Sequence, residues 1–254
     1  MNIEGQAALV TGGGSGLGEA VARELARSGA KVAVIDVNAA GAQRVAGEIG
    51  GLGLTADIAD GASLAAALDA AEAVHGPARI VMNIAGIGTA RRVIGKDGSP
   101  APLEDFERVV RVNLVGTYNV VRLSAARIAR LAPLADGERG VMVMTASVAA
   151  YDGQVGQEAY SASKGGLVSM TLPLARDLAQ HGIRVCTIAP GLFETPLLKT
   201  LPEPVQQSLA ASIPFPPRLG RPEEFAALAA HIVTNVHLNG ESIRLDGALR
   251  MALR

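Results

Sequence analysis

The chain has 254 residues, of which 49% are hydrophobic and 19% are charged, enough for one large α/β domain with an extensive core. The formal net charge is −1 and no lysine or arginine block stands out, which argues against a protein that binds nucleic-acid phosphates. Cys186 is the single cysteine, so an internal disulfide is excluded, and a reducing, cytoplasmic location is expected.

Short buried strands alternate with helices along the whole chain. Strands are predicted at residues 7–12, 31–36, 51–57, 79–86, 140–147, 183–190 and 241–247. Helices are predicted at residues 16–28, 39–49, 62–74, 103–131, 157–180 and 222–235, with an interruption near Asn113 and a kink at Pro173. This alternation predicts βαβ units and a parallel sheet in a single domain, residues 1–254.

Two segments outside this alternation are predicted to be irregular. The loop at 91–102 holds charges, glycine and proline, and the proline-rich segment at about 195–219 is expected to form a mobile flap over a site. The first strand begins near residue 6, and no run approaches about 20 apolar residues. Neither a signal peptide nor a membrane span is therefore expected.

A glycine-rich turn, TGGGSGLG at 11–18, joins the first strand to the first helix. Glycines allow a left-handed backbone and the close approach of a pyrophosphate, and the helix N-terminus offers free N–H groups and a positive dipole end. The alternative is a tight turn without a ligand, because the spacing is TGxxxGxG and not the commoner GxGxxG. The predicted cofactor contacts in this turn are Gly12, Ser15, Gly16, Leu17 and Gly18.

Small and acidic residues end the next three strands. Asp36 can accept both hydroxyls of an adenosine ribose and repels a 2′-phosphate, which favours NAD over NADP, although a helix cap is the alternative. Asp57, followed by Ile58, is expected to reach the adenine amino group. Ligands of open α/β sheets bind at the carboxyl ends of the strands, so the order of these residues predicts a dinucleotide site. The fourth strand adds Asn83, Ala85 and Gly86 to the predicted contacts.

Tyr160 and Lys164 are four residues apart in a predicted helix and therefore share one face. A neighbouring ammonium and an oxidised nicotinamide are expected to lower the phenol pKa from its ordinary value near 10. Tyr160 can then act as a general acid and base, with Ser147 holding the same substrate oxygen. The alternative is an ordinary helix-surface pair and a loop serine.

These residues, together with Asn113 and the segment APG at 189–191, resemble the short-chain dehydrogenase/reductase family over essentially the whole chain. The resemblance implies a Rossmann-like, doubly wound, seven-stranded parallel sheet, NAD-linked oxidation and reduction, and a homotetramer. It also implies that Lys164 holds the nicotinamide ribose and that Asn113, as a fourth catalytic residue, links Lys164 to solvent. Ile84 departs from the family pattern, where many members have a second asparagine.

Longer segments resemble one group of that family, the type II 3-hydroxyacyl-CoA dehydrogenases. These segments are TASVAAYDGQVGQEAYSASKGG, APGLFETPLL and LNGESIRLDGALRM. The resemblance implies interconversion of (3S)-3-hydroxyacyl-CoA and 3-oxoacyl-CoA, with Pro190, Phe193 and Thr195 beside the nicotinamide. Glu194 stands where that group has glycine, which puts the substrate range in question. The alternatives are a hydroxysteroid or other secondary-alcohol dehydrogenase, and a non-catalytic NAD-binding scaffold.

Surface features give two further expectations. Arg91, Arg92 and Lys96 form a basic patch that could meet coenzyme A phosphates, although solvated loop charges are the simpler interpretation. The helices at 103–131 and 157–180 carry apolar residues on more than one face, which suits pairing with another subunit. No metal site is expected, since metal-ligand spacing is absent from His75, His181, His231 and His237.

Overall fold

The computed structural model describes residues 1–88, 90–199 and 202–253, apart from the side chains of Leu197 and Lys199. The strands are β1 Ala7–Thr11, β2 Lys31–Asp36, β3 Leu52–Thr55, β4 Ile80–Asn83, β5 Gly140–Thr145, β6 Ile183–Pro190 and β7 Ser242–Leu245. The helices are α1 Gly16–Arg27, α2 Ala39–Ile49, α3 Gly61–His75, α4 Leu103–Val110, α5 Thr117–Ile128, α6 Glu158–Ala179, α7 Pro196–Lys199, α8 Glu203–Ala211 and α9 Pro222–Thr234.

All seven strands of these described ranges lie parallel in one sheet, in the order β3-β2-β1-β4-β5-β6-β7. Strand β1 pairs with β2 on one side and with β4 on the other, so the direction of winding reverses at β1. In an open α/β sheet, such a reversal leaves a crevice at the carboxyl ends of the strands. The predicted doubly wound, seven-stranded parallel sheet is confirmed.

Helices cover both faces of the sheet because the strands are apolar on both faces. In β1, Ala8 and Val10 join a core formed with α1, α2 and α9, whereas Leu9 joins a second core formed with α3, α5 and α6. Cys186 is fully buried in the first core as a free thiol, as expected for a small apolar filler.

The predicted long helix at 103–131 is divided into three parts. A π-helical segment at Arg111–Gly116 separates α4 from α5, which confirms the predicted interruption near Asn113. The other long helix, α6, continues through Pro173 to Ala179. No helix in the described ranges is long and apolar enough to cross a membrane.

The prediction of an irregular flap at 195–219 is wrong in part, because this segment contains the helices α7 and α8. Proline begins helices as well as ending them, since an N–H in the first turn has no intrahelical acceptor. Pro196 opens α7, and α8 has a proline in its first turn. Beyond them, Ile213 and Leu219 are buried in a small separate core. Residues 200 and 201 of the flap lie outside the described residues.

Candidate active site

A cleft of about 740 Å³ opens at the carboxyl ends of the strands. Its walls come from the segments that follow β1 to β6, together with the start of α6 and the flap. The structure thus brings together most of the predicted site. The predicted residues that line the cleft are Gly12, Ser15, Gly16, Leu17, Gly18, Asp36, Asp57, Ile58, Ala85, Gly86, Ser147, Tyr160, Lys164, Pro190 and Thr195.

The glycine turn forms a backbone cradle at the N-terminus of α1. Gly12 has φ of 66°, and a Cβ there would lie 2.6 Å from the backbone of Ala85. A Cβ on Gly18 would collide with the carbonyl oxygen of Gly12. The turn therefore needs glycine for its own packing, and it leaves bare backbone and a positive helix end facing the cleft. This surface fits the pyrophosphate of a dinucleotide.

Asp36 lies at the rim of the cleft, with both carboxylate oxygens accepting backbone hydrogen bonds. One oxygen accepts from the Gly14 N–H at 2.9 Å and the other accepts from the Asn38 N–H at 2.9 Å. The cap of α2 is Asn38, whose side chain accepts from the Gly41 N–H at 3.3 Å. Helix capping therefore does not account for Asp36, and its carboxylate lies beside the phosphate cradle.

A network of ion pairs around Arg44 lies beside the glycine-rich turn. The Arg44 guanidinium donates to the Gly14 carbonyl at 3.1 Å and pairs with Glu19 at 2.6 Å and with Glu48 at 3.3 Å. Two carboxylates thus offset the positive charge of Arg44. Arg44 is therefore paired and does not present an uncompensated charge beside Asp36.

Ser147, Tyr160 and Lys164 converge on one volume of the cleft. Ser147 follows β5, and its hydroxyl accepts from the Ala149 N–H at 3.1 Å and lies close enough to the phenol of Tyr160 to oppose the rise in its pKa. The Lys164 ammonium lies 5.7 Å from the centre of the Tyr160 ring and donates to the Thr145 carbonyl at 2.7 Å. Because Tyr160 and Lys164 share a face of α6, the end of β5 meets both of them.

Burial shifts the pKa values of both Lys164 and Tyr160. Burial lowers the pKa of Lys164 to about 8. Burial also raises the pKa of Tyr160, and only the hydrogen bond with Ser147 opposes that increase. The predicted lowering of the phenol pKa requires Lys164 and an oxidised nicotinamide together, and it stays a prediction for the complex with the cofactor. The ammonium lies over the ring and hydrogen bonds with Thr145, while desolvation acts on both groups.

Asn113 lies in the π-helical segment, fully buried outside the cleft. Its side chain accepts from the Ile87 N–H at 2.8 Å, and donates to the Ile87 carbonyl at 2.8 Å and to Ser163 Oγ at 3.0 Å. A Cβ on Gly86 would lie 3.1 Å from Asn113 Oδ1 and 3.2 Å from Lys164 Nζ. Asn113 therefore holds the loop after β4 against Lys164. Its link to solvent stays a prediction.

Two further predicted cofactor contacts also lie outside the cleft. Asn83 is 2% exposed at the end of β4, and its carboxamide has no hydrogen-bond partner among the described residues. Phe193 packs edge-on against Phe225, with ring centres 6.2 Å apart, and its carbonyl accepts from the Thr195 N–H at 2.8 Å. Phe193 packs in the core, and the carboxamide of Asn83 is buried. The position of a residue next to a strand end does not distinguish the cleft from the core.

Several residues of the cleft were not found from sequence. Gln157 lies three residues before Tyr160, close to one helical turn, and this spacing is a signal that could have identified it. Leu192, Leu198 and Met251 lie inside the segments APGLFETPLL and LNGESIRLDGALRM, but no spacing within these segments distinguishes the residues that face the cleft.

Two charged residues near the flap and the loop, Glu194 and Arg91, interact with other charged groups. Glu194 is one of the groups that raise the pKa of Arg218, after the hydrogen bond from Arg218 to Glu224. Arg91 of the predicted basic patch pairs with Asp105 at 2.7 Å, while Arg92 and Lys96 are exposed.

Comparison with known proteins decides the family. Residues 6–206 match the family described as short chain dehydrogenase. The chain belongs to this family. It is therefore an oxidoreductase, and the placement of Ser147, Tyr160 and Lys164 in one cleft can be interpreted as a dehydrogenase site.

Relatives of this dehydrogenase match it over nearly their whole length. The 3-hydroxyacyl-CoA dehydrogenase type-2 of Drosophila melanogaster is 51% identical over 98% of this chain and 99% of its own. The human protein of the same name is 50% identical over 98% of this chain and 97% of its own. The (3R)-3-hydroxyacyl-CoA dehydrogenase of Rattus norvegicus is more distant, at 31% identity over 99% and 98%.

Solved structures agree with the fold of the dehydrogenase. The crystal structure of 3-hydroxyacyl-CoA dehydrogenase type-2 from Mycobacterium avium has a TM-score of 0.94 and 43% identity, with both chains fully covered. The 3-ketoacyl-(acyl-carrier-protein) reductase from Brucella melitensis, complexed with NADH, has a TM-score of 0.87 and 36% identity, covering 98% of this chain and 100% of that one.

The buried ammonium of Lys164 predicts a pH-dependent stability. Its folded pKa of about 8 lies below the ordinary lysine value of 10.5, so the unfolded chain binds more protons between these values and stability rises with pH there. From about pH 7.5 to about pH 9.5 this rise amounts to roughly 2 kcal/mol. Urea unfolding of the cofactor-free Lys164→Met variant should lack the rise, whereas Lys31→Met, at an exposed position, should keep it. Parallel pH curves for wild type and Lys164→Met would contradict the assignment.

Proposed function

We propose that this dehydrogenase interconverts (3S)-3-hydroxyacyl-CoA and 3-oxoacyl-CoA with NAD. The observation that carries the proposal is the convergence of Ser147, Tyr160 and Lys164 in a cleft that also contains a pyrophosphate cradle. The substrate class is supported by the relatives at 51% and 50% identity, whose names specify 3-hydroxyacyl-CoA dehydrogenase type-2.

The proposed mechanism assigns proton transfer to Tyr160. In reduction, the phenol donates its proton to the ketone oxygen, which Ser147 holds by a second hydrogen bond. Because burial raises the pKa of Tyr160, the phenol is protonated at neutral pH and ready to donate. In oxidation, Tyr160 must first release its own proton to solvent, and the resulting phenolate then accepts the hydroxyl proton of the substrate. The hydrogen bond with Ser147 favours that phenolate. A bound nicotinamide supplies or accepts the hydride.

Lys164 and Asp36 are assigned to cofactor binding. The Lys164 ammonium would hold the nicotinamide ribose hydroxyls while it donates to Thr145. Asp36 would accept the adenosine ribose hydroxyls and repel a 2′-phosphate. The preference for NAD is supported by Arg44, the basic residue of the rim, whose charge is offset by Glu19 and Glu48.

Two features support the proposed partners. Arg92 and Lys96 are exposed in the loop after β4 and would meet coenzyme A phosphates, whereas Arg91 pairs with Asp105. The proposed homotetramer is supported by large apolar side chains that are 41–64% exposed on α4, α5 and α6, namely Leu103, Phe106, Tyr118 and Leu172.

The substrate is tested by steady-state rates with NADH. Acetoacetyl-CoA should be reduced with a kcat/KM at least about tenfold above that of a steroid ketone, since one well-placed recognition contact is worth that much. In the reverse direction with NAD, the 3S enantiomer of 3-hydroxybutyryl-CoA should be oxidised in preference to the 3R enantiomer. Absence of acetoacetyl-CoA turnover would remove the proposed substrate, and preference for the steroid would favour a hydroxysteroid dehydrogenase.

The role of Tyr160 is tested by Tyr160→Phe, which removes the exchangeable proton and keeps the ring. Loss of a general acid should lower kcat by about 100-fold or more. NADH affinity, measured by fluorescence titration, should stay within about twofold because the ring remains in the cleft. Tyr151→Phe serves as a matched control, since Tyr151 is an exposed tyrosine in the segment between Ser147 and α6. Full activity in Tyr160→Phe would disprove the acid and base assignment.

The cofactor preference is tested by Asp36→Ala. The ratio of kcat/KM with NADH to kcat/KM with NADPH should fall about tenfold or more, because the variant loses a ribose acceptor and the repulsion of a 2′-phosphate. Asp60→Ala is a control that removes an exposed aspartate of the same edge, whose side chain caps α3. A wild type that prefers NADPH would refute the assignment of Asp36.

A further inference from the structure

The C-terminal residues 249–253, termed the tail below, lie at the catalytic end of the cleft. The tail follows β7, which is two strands from β5 and its Ser147, and five strands from β2 and its Asp36. Neighbouring strands are about 4.8 Å apart, so the tail is near the reacting groups and remote from the adenosine end. Met251 of the tail lines the cleft.

The flap holds the tail from one side. Leu249 is 1% exposed and forms a buried cluster with Ile213 and Leu219 of the flap segment. Three partly buried residues that pack against this cluster also line the cleft, and all three are apolar: Leu192, Leu198 and Met251. This part of the cleft wall is therefore an extension of the small flap core, suited to an alkyl chain.

The loop between Ser147 and α6 holds the tail from the other side. The Val155 N–H donates to the Leu253 carbonyl at 3.2 Å, and Gln154 Nε2 donates to the Ala252 carbonyl at 3.0 Å. The Gln154 N–H in turn donates to Gln157 Oε1 at 3.0 Å, and Gln157 precedes the helix that carries Tyr160. The position of the tail is thus coupled to the start of α6.

Two partly buried ion pairs of Arg244 fix the base of the tail. The Arg244 guanidinium donates to the Leu249 carbonyl at 2.9 Å and pairs with Asp152 at 2.6 Å and with Asp246 at 2.7 Å. Asp152 belongs to the segment just after Ser147. The same guanidinium therefore joins β7, the tail and the catalytic loop.

From this placement we infer that Met251 contacts the acyl chain of the substrate and determines which chain lengths are accepted. The inference rests on the proposed function, because it requires an acyl-CoA substrate. The unbranched thioether of Met251 adapts its shape to a flexible alkyl chain. The tail that carries Met251 is held on both sides, so its position relative to Tyr160 is fixed. Met251 acts on specificity, while the chemistry stays with Ser147, Tyr160 and Lys164.

The experiment compares kcat/KM for acetoacetyl-CoA and for 3-oxooctanoyl-CoA with NADH in the full chain. Met251→Asp should lower the value for the longer substrate about tenfold or more and change acetoacetyl-CoA less than about twofold, because only the longer chain reaches the wall. Met251→Leu, which keeps an apolar side chain of similar volume, should restore the wild-type ratio. Leu253→Asp makes the same change in the same tail at a residue that is 84% exposed, and should leave the ratio unchanged.

Equal losses for both substrates in Met251→Asp would overturn the inference, since they would show only a structural role of the tail. An unchanged ratio in Met251→Asp, or the same altered ratio in Leu253→Asp, would overturn it as well. NADH titration of each variant separates damage to the cofactor site from these effects. A wild type that reduces neither acyl-CoA would overturn the proposed function and this inference together, which distinguishes that failure from the others.

Discussion

The buried ammonium of Lys164 is the constraint on which the cleft depends. A buried cation is unfavourable unless hydrogen-bond acceptors surround it, and burial here lowers its pKa to about 8. The Thr145 carbonyl at the end of β5 is one acceptor, and glycine at position 86 makes room for the side chain. The end of β5, the loop after β4 and the helix α6 must therefore meet at one point. The contact between the end of β5 and α6 also brings Ser147 and Tyr160 together.

Much of this arrangement could be predicted from the sequence, because its causes are local. Strands that are buried on both faces have continuous apolar runs such as KVAVID at 31–36, and glycine turns are required where helix and strand pack closely. Tyr160 and Lys164 share a helix face through their spacing alone. The alternation of elements then implies a parallel sheet, and a parallel sheet implies a crevice at the carboxyl ends of its strands.

The parts that could not be predicted depend on contacts between distant segments. The shift in the pKa of Tyr160 follows mainly from burial, which depends on every segment that packs around the phenol. Asn83 and Phe193 adjoin residues of the cleft along the chain, but both side chains are buried outside it. Met251 reaches the cleft because Leu249 is buried under the flap against Ile213 and Leu219, which are 36 and 30 positions earlier in the chain. Helix α9 and strand β7 lie between these partners along the sequence.

The π-helical segment at Arg111–Gly116 has a consequence for insertions and deletions. A π turn accommodates one more residue than an α turn, so the helices on either side keep the faces that they would present in an unbroken helix. Here α4 stays against α6 while α5 stays against the sheet and α3. Removal of one residue from this segment would give an uninterrupted α-helix with both flanking faces preserved. What such a chain would lose is the clamp from Asn113 to Ile87, and with it the local support of the loop beside Lys164.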